Sequence, residues 1–372
     1  MSGILQGLLA SLAAAASGPF LFTWGIGNNG QLGLAGLDGD FQRSSPVQVG
    51  ELANWAQAAS NVNQVACVTT DGTLFTWGSG TSGQLGHNNR INLSSPVQVG
   101  ALTNWANAAM GVAHTLCVKT NGTLFAWGSN SFGDLGQNNT IRRSSPVQVG
   151  ALTNWAQATG GYFNCACVKT NGTLFTWGNN NNGQLGHNNI INRSSPVQVG
   201  ASTNWAQVSA RSYFVACVKT DGTLFAWGRS VVGELGQNNT ISHSSPVQVG
   251  TLTNWAQVSA GGIHIACVTT AGTLFTWGAS NQGQLGHNNR INISSPVQVG
   301  ALTNWAYAAM GNAHSSCVKT NGTLFTWGNN SNGQLGHNNI SPRSSPVQVG
   351  ALTNWAQAAL GNTHTACITS SG

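Results

Sequence analysis

Charge is scarce in this chain: only 5% of its 372 residues are Asp, Glu, Lys or Arg. The acids number seven, Asp38, Asp40, Glu51, Asp71, Asp134, Asp221 and Glu234. No two of them stand with partners that form an acid/base or nucleophile arrangement, and no phosphate-cradling loop ending in Gly-Lys-Ser/Thr occurs. This poverty argues against an enzyme and against a bound cofactor. No segment reaches the roughly 20 consecutive apolar residues of a membrane span. The clustered basic segments that a nucleic-acid binder uses on phosphates are also missing, so no nucleic-acid partner is expected. Low charge does not mean disorder, because hydrophobic residues at 41% suffice for a core.

What is abundant is repetition. Trp-Gly begins at Trp24, Trp77, Trp127, Trp177, Trp227, Trp277 and Trp327, and Ser-Ser-Pro-Val-Gln-Val-Gly begins at Ser44, Ser94, Ser144, Ser194, Ser244, Ser294 and Ser344. The step is 50 residues in both, interrupted only by three extra residues between Leu34 and Phe41. A second tryptophan recurs from Trp55 to Trp355. One copy holds four strand candidates, residues 114–120, 123–127, 146–149 and 155–158. Asn121-Gly122 joins the first two and predicts a two-residue type I′ hairpin, with φ > 0 at both turn residues. Four short strands per repeat, seven times over, predict an all-β, seven-bladed β-propeller of four-stranded antiparallel blades across residues 18–372. The strand at 364–369 has no successor in the chain, and residues 20–24 lack a predecessor. The two ends are therefore expected to share one blade.

Gly-Gln-Leu-Gly at 83–86, 183–186, 283–286 and 333–336, each after a Trp-Gly, and Gly111-Val112-Ala113-His114 resemble the repeat of the regulator of chromosome condensation. The resemblance extends over residues 18–372 and implies the propeller fold. Similar propellers include a nucleotide-exchange factor, a secreted β-lactamase inhibitor and a plant ultraviolet photoreceptor, so it fixes function much less closely. The photoreceptor's Trp-Arg signature has no counterpart here.

Repeated side chains are read as structural. The fourteen tryptophans fall at two repeat positions and predict packing between blades. Seven of the eight cysteines recur at one strand position, too far apart for disulfides, while Cys165 lies two residues from Cys167 on one strand. All are expected to be reduced and buried, consistent with synthesis in a reducing cytoplasm. His114, His264, His314 and His364 share one position, with Gln64, Asn164 and Phe214 in other copies. His87, His187, His287 and His337 share another, with Gln137 and Gln237. A position that accepts amides favours hydrogen bonding over a metal, and no metal site is expected. Asp38-Gly39-Asp40 reads as a surface loop extension.

Differences between copies point to a binding role. Residues 1–17 carry Ile4, Leu5, Leu8, Leu9 and Leu12 at helical spacing and no charge, which predicts an apolar, helical anchor that docks into a protein partner. In an up-and-down blade the Asn-Gly turn and the Gly-Ala-Leu-Thr-Asn link share one nearly invariant face. The remaining loops form the variable face, which carries all nine arginines. There Phe132, Tyr162, Phe163, Tyr213 and Phe214 cluster with Arg142, Arg143, Arg211 and Arg229, the residue types that interface centres favour. This sector is the expected site for a protein or an anionic glycan. The expected role is a structural component of an assembled particle, such as a viral tail fibre or capsid decoration. The alternatives are a lectin-like or inhibitor-like propeller, and a guanine-nucleotide-exchange regulator of a small GTPase.

Overall fold

The Asn-Gly hairpin forms, though with a different turn from the one its sequence predicts. In a computed structural model that describes residues 18–35 and 41–371, strands His114–Lys119 and Leu124–Gly128 pair antiparallel with Cys117 opposite Phe125. Thr123 also pairs with Lys119, which leaves a loop of three residues, Thr120, Asn121 and Gly122. Gly122 donates its N–H to the Lys119 carbonyl at 2.9 Å, and Lys119 donates to the Thr123 carbonyl at 2.9 Å. Only Gly122 of the pair has positive φ, 75°. The loop is thus a type I turn closed by a left-handed glycine, the three-residue alternative to type I′. Asn121 is there for its side chain: Oδ1 accepts from the Thr123 N–H at 3.1 Å and from its hydroxyl at 2.7 Å. Where the pair is Ala271-Gly272, the Thr269 hydroxyl oxygen accepts from the Thr273 N–H instead, at 3.2 Å.

From this hairpin the blade grows in both directions. Trp105–Met110 pairs with His114–Lys119 on the inner side, and Arg143–Gln148 pairs with Leu124–Gly128 on the outer side. The inner strand of a blade therefore precedes the hairpin, and Trp155–Gly160 is the inner strand of the next blade. The outer strand ends at the rim, so the link at residues 150–154 must return the chain to the axis before another sheet can start. Numbered from the inner strand Trp55–Asn61, blades 1 to 6 begin at Trp55, Trp105, Trp155, Trp205, Trp255 and Trp305. Blade 7 is shared as expected: Trp355–Leu360 and His364–Thr369 from one end, Leu21–Ile26 and Gln42–Gln48 from the other, with Thr23 opposite Ala366. The described residues form seven four-stranded sheets and no helix. Residues 1–17, with the expected anchor at Ile4, Leu5, Leu8, Leu9 and Leu12, and the loop acids Asp38 and Asp40 lie outside the described residues.

The core sits between blades. Leu116, Val118 and Leu124 of blade 2 pack with Trp155, Cys167 and Trp177 of blade 3, and the same arrangement recurs around the ring. Each Trp-Gly tryptophan donates its indole N–H to the preceding blade: Trp127 to the Gln84 carbonyl at 2.9 Å, and, across the closure, Trp24 to Gln334 at 2.9 Å. That contact explains the second glycine of Gly-Gln-Leu-Gly. A Cβ on Gly86 would stand 2.8 Å from the Trp127 indole nitrogen, on a backbone already at φ 85°. All eight cysteines are buried and unbridged.

Candidate functional site

Two sets of loops build the variable face: the turns between inner and second strands, and the longer loops between third and outer strands. A row of side chains from three successive blades crosses it. Phe132 of blade 2 lies 5.3 Å from Phe163 of blade 3, Phe163 meets Tyr162 edge-on at 4.7 Å, and Tyr162 lies 5.0 Å from Tyr213 of blade 4. Arg229 ends the row, its guanidinium 5.6 Å from the Tyr213 ring centre. The backbone aligns this row, because Tyr162 donates its N–H to the Ser212 carbonyl at 3.0 Å, across the blade boundary. Tyr162 is 37% exposed and Tyr213 and Arg229 are half-buried, so the row presents ring faces to a partner at small entropic cost. Burial beside Tyr162 raises the Tyr213 phenol, which stays protonated at neutral pH.

Two residues assigned to this cluster from the sequence belong elsewhere. Phe214, 1% exposed, occupies the slot that His114 fills in blade 2 and packs against Ala260, Ile265 and Trp277 of blade 5. A signal for this was present, since position 214 aligns with the inward histidines. Arg211 ends its inner strand and turns into the central lumen, where its Nη1 donates to the carbonyls of Met310 at 3.1 Å and Leu360 at 2.6 Å. Arg142 is exposed and Arg143 half-buried, at the start of the outer strand of blade 2.

The electrostatics of this face are one-sided. Asp134 and Glu234, its only described acids, are buried at 0% and 1% exposure, so every described charge it exposes is an arginine. Burial pushes Asp134 up to about 8, so its carboxyl is mostly protonated at neutral pH. The exposed carboxylates Glu51, Asp71 and Asp221 are all on the other face. So are the four lysines, whose ammonium groups lie over aromatic rings, as Lys119 does at 4.3 Å from Phe125.

The histidines are built into the wall. His264 Nε2 lies 3.0 Å from the Ser315 hydroxyl, and that hydroxyl donates to the Gln284 carbonyl at 2.7 Å. The hydroxyl proton being used, Nε2 must be the donor. His314 with Thr365 and His114 with Cys165 repeat the pattern from blade to blade. The second set behaves likewise: His187 bonds Thr176 at 3.0 Å, whose hydroxyl donates to Leu185. Where that threonine is Ala126 or Ala226, the histidine is Gln137 or Gln237, which donates to an outer-strand carbonyl. This paired change is visible in the sequence and went unread there. Among the described residues no group of three or more His, Cys, Asp or Glu is arranged to hold a metal.

The model of the Regulator of chromosome condensation (RCC1) repeat matches residues 20–68, 71–118, 121–168, 171–218, 221–268, 271–318 and 321–368. The chain belongs to the RCC1 repeat family. Among solved structures it is similar to human WBSCR16, at 21% identity over 95% of this chain and 99% of that one, TM-score 0.84. It is also similar to Prp20p of Saccharomyces cerevisiae, whose structure is titled with its binding properties to Gsp1p and histones. There the identity is 18% over 96% of this chain and 93% of that one, TM-score 0.85. A further structure has this yeast RCC1 bound by Kap60. At these identities the likeness is one of fold. Among curated proteins, the human probable E3 ubiquitin-protein ligase HERC6 is 35% identical over 94 residues, which is 23% of this chain and 9% of HERC6. Human HERC2 is 35% identical over 85 residues, 2% of its length. Matches that short carry no ligase activity to this chain. The expectation of a viral tail fibre or capsid decoration is overturned here by the RCC1 family match along the whole propeller. No described helix is long and apolar enough to cross a membrane.

Proposed function

We propose that this RCC1-repeat propeller is a non-catalytic regulator that binds a small GTPase and promotes guanine-nucleotide exchange. The observation that carries the reading is the family match over residues 20–368. Its fold likeness to Prp20p, a protein titled for binding Gsp1p, supports it. Exchange needs no acid, base or nucleophile from the regulator. A protein that binds the nucleotide-free GTPase more tightly than the GDP-bound form lowers GDP affinity by the same factor, because linkage is reciprocal. A chain poor in acids and rich in rigid loops is suited to that task.

The basic face is the docking surface in this reading. Its exposed arginines steer an acidic partner surface, and the row from Phe132 to Arg229 supplies aromatic and guanidinium anchors of the kind that dominate interfaces. The test is release of a fluorescent GDP analogue from a panel of purified small GTPases. With its cognate GTPase the chain is expected to accelerate release by at least about tenfold. Joint replacement of Tyr162, Tyr213 and Arg229 by Ala should remove most of that acceleration, about 2 kcal/mol or more of binding, with melting unchanged. A folded chain that accelerates no member of the panel would overturn the function. Acceleration that survives the triple replacement would move the site off this row.

A further inference from the structure

Inside the ring the inner strands enclose a cavity of about 170 Å³. Its wall is made mostly of small side chains, because the inner strands supply Ala, Ser, Thr or Gly at most of the positions that line it, with Met110, Met310 and Leu360 at strand ends. Two large polar residues break that pattern. Tyr307 of blade 6 stands where five copies have Gln. Arg211 of blade 4 lies four strand positions further toward the variable face, a rise of about 13 Å. Its bonds to Met310 and Leu360 make it a bar across that end of the lumen.

The bar is incompletely satisfied. A guanidinium offers five N–H donors, and Nη1 makes both of the bonds recorded for Arg211. Nε and Nη2 have no protein acceptor among the described residues and stay open to water in the lumen. No carboxylate lines the cavity, and the nearby His264, His314 and His364 are held neutral by burial and by Arg211 itself. Burial lowers Arg211 only to about 10, so it is charged at neutral pH. Two hydroxyls of the same wall have protons to offer. Ser209 Oγ accepts from the Ala260 N–H at 2.9 Å and Ser259 Oγ from the Met310 N–H at 3.1 Å, and neither hydroxyl donates to a described acceptor.

We propose that the lumen is an anion site, in which Arg211 with Ser209 and Ser259 binds a small oxyanion of the size of inorganic phosphate. Arg211 is partly exposed to the lumen with no counter-charge beside it, and an oxyanion supplies both the charge and the missing acceptors. The basic variable face, on which this end of the lumen opens, raises the local anion concentration. The cavity has room for an anion of a few heavy atoms, given about 30 Å³ per water in the liquid. This site is separate from the aromatic row, and its test does not depend on the partner.

The test is calorimetric titration of the whole chain with inorganic phosphate at constant ionic strength set by chloride, together with melting curves. The wild type is expected to take up one phosphate, and saturating phosphate should raise its melting temperature by about 2–4 °C. Arg211→Met should lose both effects, while Arg211→Lys retains weakened binding. Ser209→Ala with Ser259→Ala, which keeps the cation, should weaken binding about fivefold or more. A wild type that responds to phosphate no more than to chloride overturns the site, as does an equal response from Arg211→Met. Should Arg211→Met fail to fold, unchanged binding in the double serine variant overturns it alone.

Discussion

At the scale of single residues, one position of the Gly-Gln-Leu-Gly motif shows how small a change turns a structural side chain into a titrating one. Gln84 and Gln184 reach back to accept the N–H of Ser82 and Asn182 at 2.8 and 2.9 Å. Glu234, of equal length, accepts from Val231 and Val232 at 2.7 and 2.9 Å. Asp134 is one methylene shorter, and neither of its carboxyl oxygens finds a hydrogen-bond partner. Its pKa, raised by burial from 3.8 to about 8, means that the folded protein keeps a proton which the unfolded chain releases. The stability this proton confers is full below pH 4 and is lost as pH rises toward 8. Asp134→Gln is therefore expected to stabilise by about 1–3 kcal/mol at pH 8 and little at pH 4. The inward histidines act in the opposite sense. His264 and His364 are lowered by burial to about 3, and His114 to about 4, from 6.5. Their contribution is present above pH 6.5 and is lost as pH falls toward 4, so His264→Gln should flatten the acid limb and leave the alkaline limb alone. Denaturant melts from pH 4 to 9 separate the two, and an Asp134→Gln gain independent of pH would contradict a buried protonated carboxyl.

Between elements, the unsolved problem of a propeller is that neighbouring inner strands belong to different sheets and share no ladder. A glutamine on the inner strand supplies the missing bonds. Gln157 Oε1 accepts from the Val208 N–H at 3.0 Å and its Nε2 donates to the Val208 carbonyl at 3.2 Å. Gln57 does the same to Ala108, and Gln257 to Ala308. Gln157→Ala should therefore cost about 1–3 kcal/mol, by leaving the Val208 backbone without partners. In blade 2 the position holds Asn107, too short to bridge, and its Oδ1 has no partner. Asn107→Gln should stabilise, and thermal melts of the two variants read both signs. The strands were legible in the sequence because each is bounded by a Gly- or Asn-containing turn. The frame was not: tandem repetition looks the same whichever strand is counted first, and only the pairing of Trp105–Met110 with His114–Lys119 shows where a blade begins. The turn type escaped for a related reason, since Asn-Gly serves both a two-residue loop and the end of a three-residue one. Arg211 escaped because the last residue of an inner strand faces lumen or solvent according to the neighbouring turn, which residue types alone do not specify.

For the whole molecule, repetition gives the ring and departures from repetition give the face. Equivalent loops return seven times around the axis, so scattered arginines in the sequence gather on one surface, and Asp134 and Glu234 are buried beneath it rather than exposed on it. The same periodicity dictates how the ring is sealed. Leu21–Ile26 pairs with His364–Thr369, placing Phe22 opposite Cys367 as Phe125 stands opposite Cys117. Phe20 then takes the place of Thr123, its carbonyl accepting from the Thr369 N–H at 3.0 Å as Thr123 accepts from Lys119 at 2.9 Å. In this register Ser370, Ser371 and Gly372 correspond to Thr120, Asn121 and Gly122. A covalent bond from Gly372 to Phe20 would therefore recreate the repeat's own three-residue loop with glycine at its left-handed position. A permuted chain that runs from Glu51 to Gly372 and continues from Phe20 to Gly50 should fold to the same propeller. Its new ends fall in the exposed link after an outer strand, the kind of site that tolerates opening. Making the closing hairpin local removes the entropy of joining strands more than 300 residues apart. The permutant should refold faster than the parent and melt no lower, whereas simple deletion of residues 1–26 should expose the edge of His364–Thr369 and cause aggregation. Stopped-flow refolding followed by tryptophan fluorescence reads the first outcome, and a permutant that refolds no faster than the parent would mean that terminal pairing is not what limits assembly of the ring.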